Sequence, residues 1–96
     1  MDIIVYTKEK CPRCKALLSF LDKHKVFYLE KKIEDELVIG ELLTYDYILE
    51  NFCDDKQCLV TTPVVQIDGK FMHKEFFGIG GLNEEQAKKV FNIKQK

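Results

Sequence analysis

Apolar and polar positions follow two periods along this chain, and the changes of period mark its elements. Ile3 to Thr7 is a short β-branched run of the kind expected of a buried strand. Beyond Pro12, the residues Cys14, Leu17, Leu18 and Leu21 fall at i, i+3, i+4 and i+7, which predicts one apolar helix face ending near His24. Proline suits the first helical position, where its missing N–H leaves no bond unmade. Val26 to Leu29 reads as a second strand, so the first third of the chain has the form of a βαβ unit with parallel strands. Val38, Leu42, Tyr45, Leu49 and Phe52 then step by four, three, four and three. That spacing predicts one helix from about Asp35 to Phe52, with Gly40 a weak point costing about 1 kcal/mol relative to alanine.

Val64 to Ile67 and Lys70 to His73 read as two strands around Asp68-Gly69, a pair suited to a tight turn that needs positive φ at both central positions. Gly78-Ile79-Gly80-Gly81 reads as a flexible connection. Asn83 is placed to cap a last helix, with Gln86 completing the capping box and Ala87, Val90 and Phe91 facing inward. The order βαβ, α, ββα predicts an α/β fold: a mixed four-stranded sheet with helices on both faces.

Composition narrows the function. A length of 96 residues predicts a single domain, 1–96, and 46% hydrophobic with 32% charged residues is the balance of a folded globule. Fifteen Lys and Arg against sixteen Asp and Glu argue against nonspecific nucleic-acid binding. No apolar run approaches the roughly 18 residues needed to span a membrane. The first residues read as a strand and not as a signal peptide. A cytoplasmic monomer with neither nucleic-acid nor membrane partners is the expectation. The stretch from Glu30 to Asp55 carries nine acids against Lys31 and Lys32 and reads as a solvated helix face. His24 and His73 read as surface residues.

Four cysteines in a cytosolic chain point to redox or metal chemistry before a structural disulfide framework. Cys11-Pro12-Arg13-Cys14 stands after a predicted strand and at the start of a helix, and i, i+3 spacing on a first turn brings both sulfurs to one side. Cys11 should be exposed at the helix tip and Cys14 should face inward. Only a thiolate attacks a disulfide, and a thiol of pKa ~8.5 is about 3% ionised at neutrality. Ionisation of ~90% needs a shift of ~2.5 units, roughly 3.4 kcal/mol. The helix dipole supplies ~0.3–2 kcal/mol, so first-turn amides and the cations Lys8, Lys10, Arg13 and Lys15, set against Glu9, have to supply the rest. Cys11 would attack a substrate disulfide and Cys14 would resolve the mixed disulfide.

Strand, CPRC, helix, strand, helix, Thr61-Thr62-Pro63, hairpin and Gly80-Gly81, in this order, make the sequence resemble the glutaredoxin family of the thioredoxin fold. The resemblance implies a thiol–disulfide oxidoreductase with no tightly bound cofactor and with glutathione or another small thiol as electron donor. Its substrates would be disulfide-bearing proteins or glutathione mixed disulfides. It also implies a cis bond before Pro63, with the Thr62 backbone pairing with the substrate's cysteinyl unit. Lys8 matches a lysine that holds glutathione's glycyl carboxylate. Gly81, Leu82 and Asn83 match the segment whose amides hold the γ-glutamyl carboxylate, an anion site expected of a helix start. Arg13 stands where a tyrosine is common and so borders the substrate. Leu82-Asn83 replaces Cys-Asp or Cys-Ser, and the stretch before Gly80 is longer than usual.

Two alternatives stand beside this reading. A redoxin of the ribonucleotide-reductase type would be recharged directly by thioredoxin reductase, where the first reading calls on glutathione reductase. A zinc or iron–sulfur module would use Cys11, Cys14, Cys53 and Cys58, although Pro12 and an amphipathic helix are poor support for a metal knuckle. Cys53 and Cys58 are otherwise a candidate second redox pair. The plainer reading, two unrelated thiols or an incidental disulfide, is favoured because Asp54 and Asp55 would raise a neighbouring thiol's pKa.

Overall fold

Residues Ile3–Thr7 form β1, the strand from which both halves of the molecule are organised. The computed structural model describes residues 2–73, 75–78 and 81–93. After β1 come α1 (Pro12–Lys23), β2 (Leu29–Lys32), α2 (Glu36–Leu42), α3 (Asp46–Phe52), β3 (Val64–Ile67) and β4 (Lys70–Met72). A two-residue pair, β5 (Phe77–Gly78) and β6 (Gly81–Leu82), precedes α4 (Glu84–Val90). The main sheet runs β2-β1-β3-β4, with β1 parallel to β2 and antiparallel to β3, and β3 antiparallel to β4.

Strand alternation divides the buried residues into two cores. Successive side chains of a strand point to opposite faces. Ile3 and Val5 of β1, with Val65 and Ile67 of β3, meet Leu17, Phe20 and Leu21 of α1 and Ala87 and Phe91 around α4. On the other face Tyr6 and Val64 meet Leu42 of α2 and Ile48 of α3. Helices therefore cover both faces, as the element order predicts. Asp68 and Gly69 have φ of 49° and 89°, the positive values that the hairpin turn requires.

Four sequence expectations are corrected. The single helix from Asp35 to Phe52 is two helices, broken at Leu43-Thr44-Tyr45. The Thr44 hydroxyl and amide both bond back to the Glu41 carbonyl, and Tyr45 leaves the turn extended (φ −92°, ψ 133°) before Asp46 restarts the helix. Threonine offers the backbone a local partner that competes with the helix ladder. The break turns α3 so that Ile48 is fully buried while Leu49 remains 41% exposed.

The second strand is Leu29–Lys32 and not Val26–Leu29. It is a sheet edge carrying Glu30, Lys31 and Lys32, a charged composition that protects an edge from pairing and hides it from a hydrophobic scan. The connection read as flexible at residues 78–81 contains the β5–β6 pairing, Phe77 opposite Leu82 and Gly78 opposite Gly81, while Ile79 and Gly80 lie outside the described residues. His24 and His73, expected at the surface, are each half-buried: His24 lies against Phe20, and His73 against Tyr47 and Phe52.

Candidate active site

β1 ends at Thr7, and Lys8-Glu9-Lys10 turns the chain into α1, with Lys10 in the left-handed region at φ 56°. Cys11 is the N-cap of α1 and Pro12 its first residue. In the capping position a side chain accepts a bond from an amide that the helix leaves unpaired. Here the acceptor is sulfur: the Cys14 N–H donates to Cys11 Sγ at 3.1 Å. Cys11 and Cys14 are joined as a disulfide, their Cα atoms 5.2 Å apart.

Thr62 and Pro63 arrive from the strand side, through a cis Thr62–Pro63 bond and directly before β3. The Thr62 hydroxyl donates to Cys11 Sγ at 3.3 Å, and the Thr62 carbonyl oxygen lies 3.7 Å from the same sulfur. This packing corrects the exposure expected of Cys11, which is 6% exposed against 3% for Cys14. The disulfide reaches solvent through a cleft of about 370 Å³ whose wall includes Cys11, Cys14, Lys8, Lys10, Lys15 and Lys32.

The cations of this cleft are partly countered. Glu9 and Glu30 also line it, Glu30 accepts a 2.7 Å bond from the Thr7 hydroxyl, and the Glu34 carboxylate receives the Glu9 N–H. Two of these acids come from β2 and the turn after it. The local charge is therefore less positive than the sequence around Cys11 suggests.

A second cleft, of about 340 Å³, lies against Arg13, Thr61, Thr62, Pro63, His73 and Phe77. The Arg13 guanidinium sits over the Phe77 ring, 5.4 Å from its centroid. His73 shares a hydrogen bond with the Tyr47 hydroxyl, its ring lies 4.6 Å from that of Phe52, and its backbone N–H donates to Glu75 at 3.0 Å. Burial, followed by the Glu75 charge, raises the Tyr47 pKa above its ordinary value, so the hydroxyl stays protonated at neutral pH. Sequence reasoning missed His73 and Phe77 as cleft residues. The one available signal was the unusual length of the segment between the hairpin and Gly80.

The segment matched to the γ-glutamyl site is β6 followed by the N-cap of α4. β6 packs against α1, which brings Gly81 and Leu82 near the disulfide's helix. The Asn83 amide, however, already donates to the Phe76 carbonyl at 2.7 Å, and its side chain caps α4 by accepting the Gln86 N–H at 3.1 Å. That amide is therefore spent within the fold. Cys53 and Cys58 form a disulfide of their own. All four sulfurs of the proposed metal module are thus divided between two disulfides, and among the described residues no group of three or more His, Cys, Asp or Glu could hold a metal ion.

Such an arrangement suits thiol–disulfide exchange: a sulfur at a helix start, two donors to stabilise it as a thiolate, and a second sulfur within bonding reach. Comparison with known proteins shows where the fold is shared. A mutant form of the thioredoxin-like protein BC3987 is 27% identical over 97% of both chains, with a TM-score of 0.65. Glutaredoxin grx-1 from Archaeoglobus fulgidus (23% identity, 93% of this chain and 84% of that one, TM-score 0.62) has the same fold. So does glutaredoxin 1 from Francisella tularensis, solved with cacodylate (20% identity, 95% and 96% coverage, TM-score 0.56). No functionally curated protein matches. The family model described as Glutaredoxin matches residues 3–72, which contain β1, the Cys11–Cys14 pair and the Thr62–Pro63 turn, and the chain belongs to the glutaredoxin family of thioredoxin-fold redox proteins.

Proposed function

We propose that this chain is a dithiol–disulfide oxidoreductase that reduces protein disulfides or glutathione mixed disulfides through Cys11. The observation that carries the reading is the position of the Cys11 sulfur, which accepts both the Cys14 N–H and the Thr62 hydroxyl while bonded to Cys14. Once reduced, the same two donors favour the thiolate over the thiol, since hydrogen bonds to a charged acceptor contribute about 1.5–3 kcal/mol each.

The Cys11 thiolate attacks one sulfur of the substrate disulfide, forming a mixed disulfide and releasing the other sulfur as a thiolate that takes a proton. The Cys14 thiol loses its proton and attacks Cys11 Sγ, closing the Cys11–Cys14 bond and freeing the reduced substrate. Two electrons pass to the substrate, and two equivalents of a small thiol such as glutathione restore the dithiol. Lys8 in the cleft supports an anionic donor, and Thr62 beside the sulfur supports backbone docking of the substrate. A second reading, direct recharging by thioredoxin reductase, is favoured by one observation: the Asn83 amide that glutathione would use is engaged by Phe76.

Cys11→Ser should abolish disulfide reduction, and Cys14→Ser should accumulate a mixed disulfide visible by intact mass. Wild-type activity in Cys11→Ser would end the proposal. Turnover coupled to glutathione and its reductase, compared with turnover on thioredoxin reductase alone, separates the two electron sources.

A further inference from the structure

We propose that Cys53 and Cys58 form a second, reversible dithiol–disulfide couple, held in pairing position by the backbone and independent of Cys11 and Cys14. α3 ends at Phe52, and Cys53 leaves it in extended conformation (φ −115°, ψ 143°). The Asp54 N–H then donates to the Gln57 carbonyl and the Leu59 N–H to the Phe52 carbonyl, both at 2.8 Å. Cys53 and Cys58 stand opposite each other between these two bonds, in an antiparallel bridge with Cα atoms 3.9 Å apart. In antiparallel pairs this is the position where side chains come closest.

The tip of the loop is tied as well. Asp54 Oδ1 accepts the N–H groups of Lys56 and Gln57, each at 2.8 Å. Four hydrogen bonds therefore close this loop without help from sulfur. A disulfide stabilises a fold mainly by closing a chain loop that would otherwise be open. Here it adds little closure, and neither cysteine belongs to either hydrophobic core. When the S–S bond opens, the thiols stay side by side.

Access completes the case. Cys58 is exposed and Cys53 half-buried, and exposed disulfides are the labile class. The step is an exchange with a dithiol. One thiolate of the reductant attacks the Cys58 sulfur and releases the Cys53 thiolate, which takes a proton. The reductant's second thiol then attacks its own sulfur in the mixed disulfide, releasing the Cys58 thiol and leaving the reductant as a cyclic disulfide. Two electrons and two protons reach the pair, so the whole chain exchanges four electrons. Asp54 and Asp55 against Lys56 make the surroundings acidic, which favours an uncharged dithiol over an anionic one.

The double variant Cys11→Ser/Cys14→Ser isolates the couple, so the result does not depend on the oxidoreductase reading. The protein is treated with stepped dithiothreitol, acid-quenched, alkylated and weighed intact. The expected result is a shift from no alkyl groups to two, at Cys53 and Cys58, in one two-electron step with unchanged circular dichroism, reversed by oxidised glutathione. Alkylation of both thiols before reduction would overturn the proposal. So would resistance to dithiothreitol short of denaturant, failure to reclose, or loss of the folded spectrum on reduction. Cys53→Ser/Cys58→Ser should accept two fewer alkyl groups than reduced wild type. If Cys53→Ser/Cys58→Ser and the wild type both lack disulfide reductase activity while the couple still cycles in Cys11→Ser/Cys14→Ser, only the proposed function fails.

Discussion

One sulfur and its two donors carry the proposed chemistry at the scale of the residue. The Cys14 amide was foreseeable, because a helix start offers unpaired N–H groups to whatever caps it. The Thr62 hydroxyl was not, because it reaches Cys11 across a sequence separation of 51 residues and its backbone was the part assigned a role. A bond to a thiolate contributing ~1.5–3 kcal/mol corresponds to about 1–2 pKa units. Thr62→Val keeps the shape and removes the donor, so in a Cys14→Ser background the Cys11 pKa should rise by about a unit. The pH midpoint of iodoacetamide alkylation reads this directly, and an unmoved midpoint would show that the hydroxyl does not serve the thiolate. Asp54 offers a second residue-scale test. Its two amide bonds hold its carboxyl below the ordinary range. A lowered folded pKa stabilises the loop above the unfolded value of ~3.9 and ceases to do so as pH falls through the folded one. Exchange protection at the Lys56 and Gln57 amides should therefore be present at about pH 5, decline as pH drops below about 4, and be absent throughout in Asp54→Ala.

Elements were legible where one face is buried and illegible where charge or a local side-chain bond decides. α1 followed from Cys14, Leu17 and Leu21, all of which are buried, and from Pro12 at its first position. The break between α2 and α3 turns on one threonine bonding back to Glu41, which a count of apolar steps passes over. β2 was misplaced because its residues carry charge. β5 and β6 are too short for any period, yet they hold Phe77 under Arg13 at the mouth of the second cleft. That pairing fixes an expectation for the element. An exposed cation–π contact is worth about 0.5–1 kcal/mol. Arg13→Ala and Phe77→Leu should each lose it, and the double variant should lose it only once. A urea-unfolding double-mutant cycle with a coupling of about 0.5–1 kcal/mol supports the contact. A coupling near zero would leave Arg13 free of Phe77 in solution.

For the molecule as a whole, β1 is the shared wall of two cores. The hydrophobic alternation made both cores readable, but the polar bond between central strands was not. Tyr6 of β1 and Gln66 of β3 are both buried, and the Tyr6 hydroxyl donates to Gln66 Oε1 at 3.1 Å. A tyrosine in an apolar strand gives no hint of its partner, which comes from 60 positions away. Burial first, then the charge of Glu41 and the neighbouring Tyr45, push the Tyr6 pKa up to about 12. An unfolded tyrosine ionises near ~10. A raised folded pKa gives stability that is complete below the unfolded value and is lost as pH climbs towards the folded one, a loss of roughly 2–3 kcal/mol for two units. Tyr28, raised to about 12 by burial and by its bond to Asp22, acts in the same window, so the two need separate variants. Tyr6→Phe leaves Gln66 Oε1 without its donor and should cost about 1–3 kcal/mol near neutrality. Its urea midpoint should then fall less than that of wild type between about pH 9.5 and 11.5, while Tyr28→Phe retains the share due to Tyr6. Parallel decline of wild type and Tyr6→Phe would mean that Tyr6 ionises as freely in the fold as outside it, and that the strand pairing of β1 with β3 owes nothing to the proton it holds.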